Sequence, residues 1–300
     1  MEWCDIDEQI ESQLDSVYKL FLFNSYELGK YKVLYDIWFL RDQLARCKYK
    51  IALKNNGIVI AFVSGRIVNT NKGEFLEINY LCIDKCFRGK GIVKNLKSQL
   101  KSKVRTKDAI YTTPTVFENK LQTLRYYHRL LNVKSNQDGY RNVGYTFEQS
   151  GESLGVLLRM YNEKYYKYDF YEILDETFFA PKFGFNVLVV YKEKELVGFV
   201  TYYDTQLVKR DTRHASVQKN ALLYYYTVPH CVLISDDFSV YLRNQGVHSL
   251  DTLCEIGTHN VDRDRDRDRD RVKGFVRGTG EIQLCSTSNQ EFGNIGYLCI

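Results

Sequence analysis

At 300 residues the chain is long enough for one large core or two smaller ones. Apolar residues make up 44% and charged residues 26%, ordinary for a soluble globular protein, and no apolar run approaches the roughly 20 residues of a membrane helix. The net charge of +5 helps to attract phosphates but does not by itself call for nucleic acid.

The start, MEWCDIDEQIESQ, is acidic and does not read as a signal peptide. Glycine does not follow Met1, so the usual motif does not make the chain a myristoylation substrate. Eight cysteines are scattered through apolar stretches without a Cys-x-x-Cys pair. They read as reduced buried thiols in a reducing, cytoplasmic setting. The five histidines are dispersed and lack ligand spacing, so no metal is expected.

Residues 7–23 carry Ile10, Leu14, Val17, Tyr18 and Phe21 among acids, an amphipathic helix. Residues 35–47 read as a second helix. Strands are expected at 50–53 and 58–66 around the Asn55-Asn56-Gly57 turn.

The segment LEINYLCIDKCFRGKGIVKNL, residues 76–96, then combines a buried strand with a helix start. Between them stand Arg88, Gly89, Lys90 and Gly91, two cations and two glycines. A strand leading through such a turn into a helix N-terminus suits a phosphate, because backbone N–H groups and the helix dipole favour an anion. The alternative is an ordinary turn with a solvated basic face.

A strand follows at 109–112, then a loop with Pro114, then the RYYHR stretch within 122–131. Residues 144–147 read as a last strand of the first half. Helices are expected at 152–167 and 169–179, a hairpin at 186–192 and 195–203, a strand at 219–228 and a helix at 236–244. The similarity of IVIAFVSG to LVGFVTYY hints at internal duplication. Five Asp-Arg dipeptides at 262–271 read as a solvated loop. Glycine-rich strands resume at 274–285, and the sequence ends on the apolar Gly296-Tyr297-Leu298-Cys299-Ile300.

The turn at 88–93 resembles the pyrophosphate-binding turn of the GNAT superfamily of acyl-CoA transferases, with Val93 where that superfamily prefers glycine or alanine. A closer resemblance is to the glycylpeptide N-tetradecanoyltransferase, or N-myristoyltransferase, family. Residues 77–93 resemble its EINFLCVHKKLRSKR-type segment. AIYT at 109–112 and RYYHRLLN at 125–132 resemble its second signature, in the same order.

The resemblance implies an α/β (α+β) fold: two fused GNAT-like halves related by a pseudo-twofold, with mixed twisted sheets flanked by helices. Residues 1–150 would bind acyl-CoA and 151–300 the peptide. It implies myristoyl transfer from myristoyl-CoA to the N-terminal glycine amine of protein substrates. No metal or prosthetic group, nucleic acid or membrane span is implied, and a monomer is expected.

By the same resemblance, Tyr80 and Leu81 supply backbone donors to an oxyanion hole, and the C-terminal carboxylate, here that of Ile300, is the base. An apolar tail would otherwise read as a frayed end or edge strand. Acyl-CoA contacts fall on Tyr80, Leu81, Cys82, Ile83, Arg88, Gly89, Lys90, Gly91, Ile92 and Val93. Asn79 matches a family residue at the reacting centre, or satisfies buried backbone. Thr112 matches a threonine near the substrate amine, or is a β-branched strand residue. Tyr111 and His128 match peptide-groove positions, and Tyr224 and Tyr226 line the groove or pack in the core.

Several features differ from the family. Its CoA-covering Phe-Trp segment has no counterpart, since the sequence begins near the later tryptophan, here Trp3. Asn24-Ser25-Tyr26-Glu27-Leu28-Gly29-Lys30 stands where an acidic peptide-reading stretch is expected, and Cys254 where relatives carry aspartate. Glycines replace Ser and Arg in the phosphate turn. Two other readings remain: a different CoA-dependent N-acyltransferase, such as an acetyltransferase, or a non-catalytic module holding acyl-CoA or an acylated peptide.

Overall fold

The computed structural model describes residues 1–24, 27–28, 31–106, 108–113, 120–131, 144–149, 153–179, 185–209, 216–233, 235–254 and 276–286. In chain order the elements are β1 (Glu2–Asp5), α1 (Glu11–Asn24), β2 (Glu27–Leu28), β3 (Tyr31–Leu34), α2 (Ile37–Ala45), β4 (Tyr49–Asn55), β5 (Ile58–Thr70), β6 (Gly73–Ile83), α3 (Ile92–Ser102), β7 (Ala109–Thr113) and β8 (Lys120–Leu130). There follow β9 (Tyr145–Gln149), α4 (Leu154–Tyr165), β10 (Asn186–Lys192), β11 (Glu195–Lys209), β12 (Ser216–Tyr226), α5 (His230–Leu233), α6 (Asp236–Asn244), β13 (Ser249–Cys254) and β14 (Val276–Ser286).

Twelve of these strands run side by side in the order β1-β4-β5-β6-β7-β14-β8-β13-β12-β11-β10-β9, with β2 and β3 attached through β11. Read from either end, the succession is the same: an edge strand, an antiparallel hairpin, a strand antiparallel to it, a parallel neighbour, and then a strand from the other set. β6 and β7 are parallel, as are β12 and β13. β14 crosses to pair with β7, β8 crosses to pair with β13, and β8 and β14 pair at the centre. The duplication hinted at by IVIAFVSG and LVGFVTYY is present as this repeated topology.

Hydrophobic alternation explains the layering. Ile51, Leu53, Ile60 and Leu76 face Ile92, Leu96 and Leu100 of α3. Ala52, Phe62 and Cys82 face Leu14, Val17 and Leu20 of α1 and Leu40 of α2. Strands buried on both faces read as near-continuous apolar runs, as β5 does. In the second set, Val189 and Phe199 face Leu157 and Tyr161 of α4, whereas Leu188 and Val200 face Phe238 and Leu242 of α6.

The Asn56-Gly57 turn forms with both residues at positive φ, +48° and +79°, as a tight hairpin of that twist requires. Three expectations need correction. Residues 169–179 are not a helix; only the 3-10 turn Glu176–Phe179 is helical. Their backbone is spent elsewhere: Ile173 N donates to Asn69 O at 2.7 Å, Asn71 N to Tyr171 O at 3.2 Å, and Tyr171 N to Asn71 Oδ1 at 3.1 Å. Groups tied to the β5–β6 turn cannot make i→i−4 bonds. The first helix begins at Glu11 rather than residue 7, because Asp7 Oδ1 caps the preceding turn by accepting from Gln9 N at 2.9 Å. β9 closes the second strand set rather than the first, pairing antiparallel with β10. The Asp-Arg run lies outside the described residues.

Candidate active site

β6 is interrupted where the sequence reading placed the oxyanion donors. Phe62 pairs with Cys82 and Ser64 with Asn79, so Tyr80 and Leu81 together oppose Val63 in a bulge. Pairing with β7 has already ended at Ile78. Asp84 N donates to Ile60 O at 2.8 Å, so ladder alternation makes Phe62/Cys82 the mutually bonded pair and turns the Leu81 N–H away from β5. Tyr80 has φ +50°, a left-handed conformation costing a non-glycine residue about 1–2 kcal/mol. Strain of this kind concentrates at functional sites.

The second set repeats the bulge and closes it. Val200 pairs with Tyr226 and Tyr202 with Leu223, leaving Tyr224 and Tyr225 opposite Thr201. The hydroxyl of Thr201 accepts from Tyr225 N at 2.7 Å and donates to Tyr225 O at 2.8 Å. With Phe62 laid on Phe199, Ser64 corresponds to Thr201 and Tyr80 to Tyr225. Ser64 Oγ instead donates to Asn79 O at 3.2 Å and accepts from Cys47 Sγ at 3.4 Å. One bulge is thus stapled by a side chain, and the other is held in a strained conformation.

The turn after β6 has the features of an anion site. Asp84 caps the 3-10 turn Lys85–Phe87 by accepting from Cys86 N at 2.8 Å. Gly89 and Gly91 adopt φ +76° and +75°, which a side chain would oppose. Gly91 is the N-cap of α3 and supplies no side-chain cap, so the first N–H groups of an 11-residue helix face the turn without one. Ile92 is buried and Val93 is 41% exposed. The Arg88 guanidinium is not part of an open cationic face. Its Nε donates to Ile83 O at 3.1 Å and its Nη2 to Asn24 O at 2.8 Å, tying the turn to the end of α1. Lys90 lies over the Phe87 ring, 4.8 Å from its centroid.

Beneath the bulge is a cavity of about 10 Å³, room for roughly one water. Its lining includes Arg46, Arg66, Glu77, Asn79, Tyr80 and Tyr224. The structure therefore brings three expected residues, Asn79, Tyr80 and Tyr224, to one place. It separates Tyr226, which the second bulge turns to the other face beside Leu223 and Val228. Lys164 Nζ donates to Tyr226 O at 2.7 Å and lies 3.9 Å from its ring centroid; burial, with Lys167 alongside, pulls the amine down to about 7. Thr112 shares a face with buried Ile110, whereas Tyr111 packs toward α3 under Lys97, whose Nζ is 3.6 Å from the ring centroid. The Cys82 thiol is pushed up to about 11 by burial, so it is not a thiolate nucleophile at neutral pH. The His128 side chain and all of Ile300 lie outside the described residues.

Sequence reasoning missed Arg46 and Arg66. A charge inside an apolar strand such as IVIAFVSGRIV signals a buried partner, but does not say which. Arg46 Nη1 donates to Tyr203 Oη at 3.0 Å, and its guanidinium carbon is 5.1 Å from the Phe178 ring centroid.

The Tyr80 ring meets Phe21 and Tyr35 edge-on at 6.3 and 6.1 Å. Its buried hydroxyl has no hydrogen-bond partner among the described residues. Leaving such a group unpaired costs about 1–3 kcal/mol. Tyr80→Phe is therefore expected to leave the urea midpoint unchanged or raise it; a loss above about 1 kcal/mol would show that the hydroxyl is bonded.

Residues 1–123 match the family described as myristoyl-CoA:protein N-myristoyltransferase, N-terminal domain. By sequence and by fold, the chain is N-myristoyltransferase-like. It is 22% identical over 240 residues to the glycylpeptide N-tetradecanoyltransferase of Plasmodium falciparum, covering 75% of this chain and 53% of that protein. To the Saccharomyces cerevisiae enzyme it is 30% identical over 148 residues, 44% of this chain and 32% of the relative. The chain thus spans about half or less of the length of these curated relatives. A crystal structure of S. cerevisiae N-myristoyltransferase with bound myristoyl-CoA superposes with a TM-score of 0.76 at 17% identity, covering all of this chain and 85% of that one. A tandem GNAT protein from the clavulanic acid biosynthesis pathway superposes at 0.60 with 11% identity, covering 95% and 98%. These superpositions establish the shared N-myristoyltransferase and GNAT-type fold.

Among the described residues no cluster of His, Cys, Asp and Glu could hold a metal, and no helix is long and apolar enough to cross a membrane. A wider open depression of about 430 Å³ near Gly144, Tyr191 and Glu193 contains none of the expected residues.

Proposed function

We propose that the protein is a glycylpeptide N-tetradecanoyltransferase, moving a myristoyl group from myristoyl-CoA to the N-terminal glycine amine of protein substrates. The observation that carries this reading is the strained Tyr80–Leu81 bulge, immediately ahead of the Gly91-capped α3. A thioester carbonyl docked at the bulge would meet backbone donors as it becomes an oxyanion, and one such donor contributes about 3 kcal/mol in comparable enzymes. The α3 N-terminus would take the CoA phosphates, with backbone N–H groups rather than Arg88 as principal ligands. The lipid chain adds about 0.8 kcal/mol per buried CH₂.

The family resemblance assigns the base to a C-terminal carboxylate. Residues 1–150 and 151–300 divide the work as acyl-CoA and peptide halves, with β8 and β14 exchanged between them and β9 placed in the second strand set. Asn79 and Thr112 serve the reacting centre, whereas Tyr224, almost fully buried, packs in the core. The free thiols Cys4, Cys47, Cys82, Cys86 and Cys231 fit a reducing, cytoplasmic setting.

Release of CoA thiol, followed with a chromogenic disulfide, tests this reading. Myristoyl-CoA is expected to release thiol only when a peptide with a free N-terminal glycine is present. Equal release without peptide would indicate a hydrolase, and preferential release from acetyl-CoA would indicate an acetyltransferase.

A further inference from the structure

A buried chain of polar contacts runs from the closed bulge to Glu77, three residues ahead of the strained one. Arg66 on β5 bonds through Nε to Glu77 Oε2 on β6. Its other two nitrogens grip Glu172 in a bidentate pair, Nη1–Oε1 2.8 Å and Nη2–Oε2 3.2 Å. Tyr225 Oη, on the closed bulge, donates to Glu172 Oε2 at 3.1 Å, and Tyr161 Oη donates to Glu172 O at 2.8 Å. Glu77 is 1% exposed and Glu172 5%. At the other end, Glu77 stands three residues before Tyr80, where β7 pairing has ended and the β5 ladder is interrupted by the bulge.

We infer that Glu172 is a positioning residue: by holding Arg66 against Glu77 from the second strand set, it fixes the conformation of the Tyr80–Leu81 bulge. Beyond Ile78 the strand lacks β7, and Ser64 Oγ donates to Asn79 O. A left-handed tyrosine persists only where its surroundings over-determine it. The Arg66 fork supplies that constraint, because a bidentate guanidinium–carboxylate pair fixes orientation as well as distance. Glu172 is itself immobilised, since the backbone on either side of it is bonded to Asn69 and Asn71. The inference concerns the site used in the proposed acyl transfer and rests on that reading for its catalytic consequence, but not for its structural one.

The test is residue-resolved amide exchange on the full chain, with Glu172→Gln and Tyr225→Phe beside the unsubstituted protein. Glu172→Gln keeps the side-chain volume and removes the charge. Exchange at residues 79–82 is expected to quicken about tenfold or more, while amides of β4 and of the β10–β11 hairpin stay within about twofold. Tyr225→Phe, the milder change, is expected to quicken the same amides about threefold and serves if Glu172→Gln fails to fold. In turnover, kcat is expected to fall about tenfold with KM for myristoyl-CoA within about threefold. Unchanged exchange at 79–82, or an equal rise across both strand sets, would overturn the inference. If the unsubstituted protein transfers no acyl group, the proposed function fails and exchange alone decides the role of Glu172.

Discussion

Arg66→Met is expected to destabilise the protein by about 3–5 kcal/mol at pH 8, the usual cost of removing one partner from a buried ionic cluster. Glu77 and Glu172 would remain almost fully buried without the guanidinium that bonds them both. Urea denaturation at pH 8 measures this. A loss under about 1 kcal/mol would show that the cluster is not the joint described here.

Gly65→Val is expected to cost about 1–3 kcal/mol by overpacking and to weaken acyl-CoA binding, because it unseats α3. Gly65 lies on β5 directly under the helix. A Cβ there would stand 2.8 Å from Leu76 Cδ1 and 3.1 and 3.2 Å from the two Leu100 methyls. Leu100 is fully buried, and α3 carries the Gly91 N-cap, so lifting the helix displaces the glycine turn. Leu100→Ala alone is expected to cost about 2–5 kcal/mol by leaving a cavity. Together the two changes should cost less than their sum, since the valine fills the space the leucine vacates. Denaturation of all four proteins gives the coupling directly. Strict additivity would mean that α3 does not rest on Gly65.

What the amino-acid order conveys and what it withholds are both visible in particular residues. The helix at Asp236–Asn244 was legible to the residue, because Ser235 caps it and Gly246 follows its end. The Asn56-Gly57 hairpin, the 76–96 strand–turn–helix and the duplication were legible for the same reason: each depends on local pattern. The segment at 169–179 was not, because its backbone partners are Asn69 and Asn71, about a hundred residues away in sequence. The exchange of β8 and β14 between strand sets leaves no periodic signature in either strand. Tyr224 and Tyr226 stand at strand spacing and read as one face, but the bulge divides them between two cores. The candidate site was half legible. Motif resemblance found Asn79, Tyr80 and the glycine turn, whereas Arg66 and Glu172 meet across 106 positions and Arg88 turned out to brace the turn.

The central claim, acyl transfer at the Tyr80–Leu81 bulge, is tested most directly by mass. A peptide beginning with glycine is incubated with the protein and myristoyl-CoA, and its intact and fragment masses are read. The account predicts one added myristoyl group, placed on the N-terminal amine, and none on the same peptide with that amine blocked. An unmodified peptide at full enzyme occupancy by myristoyl-CoA, or a label found on any other group, would contradict it.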